Sequence, residues 1–113
     1  MTDRLIFKLR VAIVGMGAIG HVVARALDGR VTELVRVDRT TAPLRANEPP
    51  VDVVVVCVKT HGTSWAADVA RRILGPNGMA ITIQNGLGNY EALVDAVGPD
   101  RAAVGVIYVG ARL

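Results

Sequence analysis

Short apolar runs alternate along this 113-residue chain with stretches in which apolar residues recur every three or four positions. Runs rich in valine and isoleucine predict β-strands, and the three-to-four spacing predicts amphipathic helices. The predicted strands cover residues 9–14, 31–37, 52–58, 79–84 and 102–109, and the predicted helices cover residues 18–27, 65–74 and 90–97. This alternation is typical of βαβ units built around a parallel sheet.

Right-handed crossovers leave few ways to order five such strands. The pattern predicts one α/β domain over residues 1–113, a Rossmann-type doubly wound and mainly parallel sheet in the order 3-2-1-4-5, with helices on both faces. The third strand is apolar on both faces and is expected to be central or well covered. A ligand is expected outside the carboxyl ends of strands one and four.

Two local features follow from the same pattern. The first helix is expected to bury one apolar face, formed by Ile19, Val22, Val23, Ala26 and Leu27. The second helix is expected to begin under a cap from Thr63 or Ser64 and to end at the turn residues 75–78, Gly-Pro-Asn-Gly.

Composition narrows the class of protein. Hydrophobic residues make up 51% of the chain and aromatic residues 4%, as in a sheet core of valine, alanine, isoleucine and leucine. The net charge is only +3 and the arginines are scattered, so no nucleic-acid partner is expected. Cys57 is the only cysteine and lies inside an apolar strand, where a buried hydrophobe is expected rather than a nucleophile. No apolar run approaches a membrane span and no secretory signal is visible, which indicates a cytoplasmic protein.

The chemistry begins at the first strand end, with Gly-x-Gly-x-x-Gly at residues 15–20. Gly15 permits a sharp turn, Gly17 leaves room for a pyrophosphate, and Gly20 allows close packing of the helix. Backbone N–H groups of the first helical turn can then hold phosphates. The motif predicts a dinucleotide site that includes the intervening Met16, Ala18 and Ile19; the alternative is a tight structural turn.

The end of the second strand offers Arg36, Asp38 and Arg39. An arginine there accommodates the 2′-phosphate of NADP, whereas a carboxylate binds the ribose hydroxyls of NAD. We predict NADPH through Arg36, with its planar guanidinium, over NADH. NADH is the alternative cofactor, because Asp38 could bind the ribose hydroxyls instead. A second alternative is that Arg36 is a solvated loop arginine with no ligand.

Polar side chains also follow strands three and four. Lys59 is placed to neutralise a phosphate or a substrate carboxylate, and Asn85 to bond a ribose hydroxyl or a substrate oxygen. A solvated strand-end lysine and an ordinary Asn-Gly turn are the competing interpretations. His21 and His61 have no partner in the sequence and are expected to be structural. The chain shows no metal-ligand spacing and no paired carboxylates, so no metal is predicted.

Taken together, these segments resemble the amino-terminal domain of the ketopantoate reductase family. The match rests on the glycine turn at 15–20, the strand ending in Arg36, Val56-Cys57-Val58-Lys59, residues 84–89 (Gln-Asn-Gly-Leu-Gly-Asn) and residues 105–111. The resemblance implies that residues 15–20 bind the NADPH diphosphate and that Arg36 binds the 2′-phosphate. It also implies that Lys59 and Asn85 contact cofactor and substrate, and that Ala111 supplies a backbone position beside the cofactor.

The implied reaction is hydride transfer from NADPH to 2-dehydropantoate, giving pantoate for pantothenate biosynthesis. In this family a second, helical domain carries the catalytic lysine and most substrate contacts, so no catalytic residue is expected within residues 1–113. Two alternatives stay open: a non-catalytic dinucleotide-binding module or truncated product, and a reductase of another 2-keto acid. A 2-keto acid partner requires that second domain. Apolar surface left open is expected to favour a homodimer.

Overall fold

Five parallel strands form a single sheet in the computed structural model, which describes residues 7–40, 48–83 and 88–105. The strands are β1 Phe7–Val14, β2 Val31–Val37, β3 Val51–Val56, β4 Leu74–Thr82 and β5 Ala102–Val104. The helices are α1 Ala18–Leu27, α2 Thr63–Ile73 and α3 Asn89–Val97, with 3-10 turns at Thr60–Gly62 and Pro99–Arg101. The end of predicted strand five lies outside the described residues. None of the described helices is long and apolar enough to cross a membrane.

The sheet order is β2-β1-β3-β4-β5, which confirms the doubly wound parallel fold and differs from the predicted 3-2-1-4-5 order in the place of β3. β3 lies between β1 and β4, with Val54 opposite Ala12 on one side and Ala80 on the other. Its apolar residues on both faces suit this internal position. β2 exposes Glu33 and Arg36 and forms the edge. The chain therefore reverses its direction of winding between β1 and β3.

The core consists of two layers, one on each face of the sheet. On one face α2 and α3 cover alternate residues of the strands, including Ala12, Val54 and Ala80. On the other face α1 packs against Val11, Ile13 and further residues of β3. The predicted helices on both faces are confirmed. Because all five strands run parallel, the residues that follow them lie at the same carboxyl edge of the sheet.

The buried face of α1 differs from the one that hydrophobicity predicts. Gly20, Val23 and Ala24 are buried, while Ile19 and Val22 are 39% and 40% exposed. Residues 20, 23, 24 and 27 follow helical spacing, with Leu27 packed against the core. The close approach of Gly20 to the preceding turn sets this rotation, so a glycine occupies the face where the largest apolar residues were expected.

The predicted turn at residues 75–78 is instead part of β4. Leu74 pairs with Val51 and Met79 with Val53, so the segment between them forms an irregular bulge in the ladder. Arg101 fixes this bulge: its Nε donates to the Gly78 carbonyl at 2.9 Å, and its Nη2 donates to the Gly75 carbonyl. Helix α2 accordingly ends at Ile73 and passes directly into the strand.

Candidate functional site

The glycine turn joins β1 to α1 with two contacts that no side chain could replace. Gly15 has φ +100°, and a Cβ there would lie 2.7 Å from Val58 Cγ1. A Cβ on Gly20 would lie 2.1 Å from the Gly15 carbonyl oxygen. Gly20 thus packs on the turn itself, a tighter contact than the expected packing on the sheet. The turn can close only with glycine at both positions.

Gly17 differs from its two neighbours in the motif, because a Cβ there would meet nothing within 4 Å. It is the N-cap residue of α1, and it is exposed. Its carbonyl accepts the backbone N–H of His21 at 3.0 Å and the ring Nδ1–H at 2.9 Å. His21 therefore has the structural role that the sequence predicts. The space in front of Gly17 is open to a group that approaches the backbone.

The amino end of α1 suits an anion. No side chain caps its first turn, and no acidic residue lies there. The first N–H groups of a helix have no partner within the helix, and the helix dipole places partial positive charge beside them. Ala18 and Ile19 are exposed in this turn, whereas Met16 is half-buried against the core. The residues present therefore fit the diphosphate of a dinucleotide.

A crevice opens beside this turn, at the carboxyl ends of β1, β2 and β3. Its volume is about 190 Å³. Its lining residues are Gly15, Gly17, Asp38, Arg39, Cys57, Val58, Lys59, His61, Gly62 and Trp65. Complete small-molecule sites usually measure about 300–1,000 Å³, so this crevice suits one part of a dinucleotide rather than all of it.

Lys59 and His61 lie on the β3 side of this crevice, and both are exposed. The Gly62 N–H donates to the Lys59 carbonyl at 2.7 Å, which closes the turn between them. Lys59 thus lies at the crevice beside the glycine turn, and its role as a contact of cofactor or substrate stays a prediction. Within the described part of the chain, no three His, Cys, Asp or Glu side chains are grouped to hold a metal ion.

Arg36 lies elsewhere. It is an exposed residue of β2, paired in register with Ile13, and it does not belong to the crevice lining. Registered neighbours in a sheet project to the same face, so Arg36 is on the α1 side. Asp38 and Arg39 reach the crevice instead. The structure thus brings Lys59 to the glycine turn and leaves Arg36 on the strand face outside the crevice.

Asp38 and Arg39 are held by their neighbours. Asp38 Oδ1 accepts the Thr40 backbone N–H at 2.8 Å and the Thr40 hydroxyl at 2.6 Å. The Arg39 guanidinium carbon lies 5.0 Å from the centroid of the Trp65 ring, within cation–π range. Trp65 is a crevice residue that sequence reasoning missed. The only signal for it is an aromatic side chain in the first turn of a helix that follows a strand end.

Cys57 also lines the crevice but is buried, with 9% of its surface exposed. Burial raises the pKa of its thiol from 9.0 to about 12. The thiol therefore stays neutral at physiological pH and is a poor nucleophile. This confirms the prediction that Cys57 is a small core residue.

The amino ends of α2 and α3 are joined by a buried hydrogen bond. Thr63 Oγ1 donates to Asn89 Oδ1 at 2.7 Å. The Thr63 hydroxyl is used here and does not cap α2, whose N-cap residue is Gly62 and has no side chain to donate or accept. Asn89 Nδ2 is buried and has no partner among the described residues. The predicted site residues Asn85 and Ala111 lie outside the described residues.

The family comparison agrees with this geometry. A sequence profile described as "Ketopantoate reductase PanE/ApbA" matches residues 30–113. The 2-dehydropantoate 2-reductase of Halobacterium salinarum is 35% identical over 91% of this chain and 43% of its own length. That of Aquifex aeolicus is 31% identical over 55% of this chain and 20% of its own length. The chain thus spans less than half the length of these curated relatives.

Solved structures give the same result. The 2-dehydropantoate 2-reductase of Geobacter metallireducens superimposes with a TM-score of 0.68 at 30% identity, over 88% of this chain and 42% of that one. A D-mandelate dehydrogenase solved with NADH and anilino(oxo)acetate gives a TM-score of 0.70 at 16% identity, over 86% and 40%, and shares the fold alone. Since the profile covers most of the sequence, the chain belongs to the ketopantoate reductase PanE/ApbA family.

Proposed function

We propose that this chain is the NADPH-binding domain of a 2-dehydropantoate 2-reductase. The observation that carries the proposal is the glycine turn, in which Gly15 and Gly20 close the backbone and Gly17 faces open space. A phosphate approaching Gly17 would meet the uncapped amino end of α1. Members of this family are NAD(P)-dependent oxidoreductases, which agrees with such a site.

The remaining contacts are assigned by the resemblance together with position. Lys59 lines the crevice and supplies positive charge for a cofactor phosphate or a substrate carboxylate. Asn85 is proposed to contact the cofactor ribose and the substrate, and Ala111 to flank the cofactor through its backbone. Arg36 is proposed as a contact of the 2′-phosphate, which it would reach from the exposed face of β2. These four assignments stay predictions.

The proposed reaction reduces the ketone of 2-dehydropantoate to the alcohol of pantoate, a step of pantothenate biosynthesis. When bound, the nicotinamide supplies the hydride. The part of this chain is to bind and orient the dinucleotide: the glycine turn and α1 hold the diphosphate, and Lys59 attracts the negatively charged groups. The proton donor that the family uses is a lysine of its helical domain, so we assign no catalytic residue within residues 1–113.

Two other functions would use the same site: a non-catalytic dinucleotide-binding module and a reductase that prefers NADH. A non-catalytic dinucleotide-binding module would use the same turn and crevice without any substrate. A reductase that prefers NADH would place Asp38, which lines the crevice, against the ribose hydroxyls. The proposal for NADPH therefore predicts that the affinity for NADPH exceeds that for NADH.

Calorimetric titration of the 113-residue chain with NADPH and with NADH tests this proposal. We expect NADPH to bind, and Gly17→Ala to weaken it at least about tenfold, because the added Cβ fills the open approach to the backbone. Ala26→Ser, an exposed change at the other end of α1, is the matched control and should leave binding unchanged. A chain that binds neither nucleotide contradicts the proposal.

A substrate panel separates the reductase functions. With the helical domain of a family member supplied, NADPH oxidation at 340 nm is expected with 2-dehydropantoate in preference to other 2-keto acids. A stronger rate with another 2-keto acid would assign a different substrate and leave cofactor binding intact. Cofactor binding without oxidation of NADPH by any of these acids would favour the non-catalytic module.

Self-association is a separate proposal. Ile19, Val22, Met79 and Val104 are the large apolar side chains described as exposed, and Val104 is 58% exposed. Apolar surface of this kind favours association in water. We propose a homodimer, which sedimentation analysis would detect as a concentration-dependent doubling of mass.

A further inference from the structure

The wall of the crevice next to the end of β2 is formed by an arginine resting on an aromatic ring. The guanidinium of Arg39 lies over Trp65, 5.0 Å from the ring centroid. Both side chains line the crevice together with the glycine turn. A Cβ on Gly62 would lie 3.5 Å from Arg39 Nη2, an ordinary van der Waals distance, so the guanidinium packs beside Gly62. Arg39 is thus directed across the start of α2.

This arrangement leaves the Arg39 donors available to a ligand. Stacking uses one face of the planar group, whereas its N–H groups point outward in the plane. None of the ion pairs in the described ranges involves Arg39. A stacked guanidinium has already lost much of its rotamer freedom, so it loses less on binding. A planar fork of donors fits two oxygens of a phosphate.

Hydrogen bonds between Asp38 and Thr40 also hold the backbone on both sides of Arg39. Asp38 Oδ1 accepts two hydrogen bonds from Thr40, at 2.8 and 2.6 Å, and these bonds set the turn that carries Arg39. Dinucleotide-binding folds contact the adenosine ribose and its 2′ substituent with residues that follow the second strand, beside the glycine turn. Arg36 precedes this position and is outside the crevice lining.

We propose that Arg39, held in place by Trp65, contacts the 2′-phosphate of NADPH and determines the preference for NADPH over NADH. Trp65 is then a positioning residue, which acts through the guanidinium. The inference rests on the proposed function, because it requires a nicotinamide dinucleotide in this crevice. It assigns the larger share of the phosphate recognition to Arg39, and the smaller share to Arg36.

Two nucleotides that differ by one phosphate test the proposal: 2′,5′-ADP carries the 2′-phosphate and 5′-AMP lacks it. We expect Arg39→Ala to weaken 2′,5′-ADP about 10- to 100-fold and 5′-AMP less than about threefold. Arg25→Ala removes an exposed arginine in the last turn of α1, outside the crevice, and is the matched control, which should weaken 2′,5′-ADP less than about threefold. Arg36→Ala should weaken 2′,5′-ADP by a smaller factor than Arg39→Ala. Arg39→Lys keeps the charge without the fork and should fall between wild type and Arg39→Ala.

Trp65 is tested by the same ratio, which loss of packing alone would not change. Trp65→Leu should lower the preference for 2′,5′-ADP over 5′-AMP, and Trp65→Phe should retain most of it. Arg39 is exposed, so Arg39→Ala should fold normally even if a change at Trp65 does not. Thermal melts of each variant provide this control.

The outcomes separate the two proposals. A wild-type chain that binds neither NADPH nor NADH contradicts the proposed function before any variant is made. A wild-type chain that prefers NADPH, with the ratio unchanged in Arg39→Ala, overturns the assignment of Arg39 and leaves the proposed function standing. A ratio lost in Arg36→Ala alone would likewise transfer the role to Arg36.

Discussion

The carbonyl oxygen of Gly15 occupies the place that a side chain on Gly20 would take, 2.1 Å from its Cβ position. The contact joins the first turn of α1 to the end of β1 without any side chain between them. It fixes the rotation of α1 and, with it, the direction in which the amino end of the helix points. The geometry of the crevice therefore depends on a contact between Gly15 and Gly20, which are five residues apart in the sequence.

Gly20→Ala is expected to destabilise the fold, because either the turn or the helix must shift to admit a methyl group. Overpacking of this kind costs about 1–3 kcal/mol in the free energy of unfolding, and a backbone obstacle places this case at the upper end. Gly17→Ala, whose Cβ meets nothing within 4 Å, should cost less than about 1 kcal/mol. Urea unfolding measures both, and equal losses would contradict the assigned contact.

Cys57 is expected to resist thiol reagents in the folded protein, because it is buried and its pKa is raised to about 12. The reaction with a coloured disulfide reagent at pH 8 should be slow in buffer and complete in denaturant. Rapid labelling of the native chain would show that the thiol is accessible.

The same pKa shift predicts a loss of stability at alkaline pH. The unfolded thiol releases its proton above its ordinary pKa of 9.0, whereas the folded thiol keeps its proton up to about 12. The contribution of the thiol to stability is complete below pH 9 and falls between pH 9 and 12. Between pH 8 and pH 10 the free energy of unfolding of the wild type should fall by roughly 1 kcal/mol relative to that of Cys57→Ala. A difference between the two proteins that stays constant over this range would contradict the prediction.

Arg101 is expected to be a larger source of stability than arginines in exposed ion pairs. It satisfies two carbonyl groups of the β4 bulge, at Gly75 and Gly78, from a half-buried position. Arg101→Met should cost about 1–3 kcal/mol, since both acceptors lose a charged donor. Arg72→Met removes only an exposed pair with Asp68 and should cost less than about 1 kcal/mol.

Thermal and urea unfolding of the two variants compare the stability that Arg101 and Arg72 each contribute. Hydrogen exchange at Met79 gives a local measurement, and its amide should exchange faster in Arg101→Met only. Similar losses in both variants would show that the bulge does not depend on Arg101.

Thr63 and Asn89 are expected to be energetically coupled. Thr63→Val leaves the buried Asn89 Oδ1 without its donor, which should cost about 1–3 kcal/mol. The double change Thr63→Val with Asn89→Leu should cost less than the sum of the single changes, because neither polar group is then left alone. Additive losses in a double-mutant cycle would contradict the coupling.

Strand and helix identities were predictable from local patterns, and the layer arrangement followed from them. The apolar faces of β3 predicted an internal strand, yet the predicted order placed that strand outside β2. The strand order depends on which strand pairs with the second edge of β1. That strand is β3, where Val54 lies between Ala12 and Ala80, and this pairing joins residues far apart in sequence. Edge residues such as Glu33 and Arg36 on β2 were the available signal for the correct order.

Parts of the site were predictable for the same reason. The glycine turn and Lys59 are set by local sequence and by the rule that strand ends meet at one edge of the sheet. The pairing of Arg39 with Trp65 was not predictable, because the two residues are far apart in sequence and meet only where the chain after β2 passes the first turn of α2. The buried face of α1 was also missed, since hydrophobicity gives no weight to Gly20.

The hydrogen-bond ladder continues one residue beyond the strand ends. Gly15 N–H donates to the Val37 carbonyl and Cys57 N–H to the Val14 carbonyl, each at 2.8 Å, and Gly105 N–H donates to the Thr82 carbonyl at the same distance. Gly15 and Cys57 line the crevice, so this part of its floor is main chain that is already paired. Evolution can exchange the side chains above it, such as Arg39 and Lys59, with little effect on folding. The same backbone can in this way carry crevices of different charge.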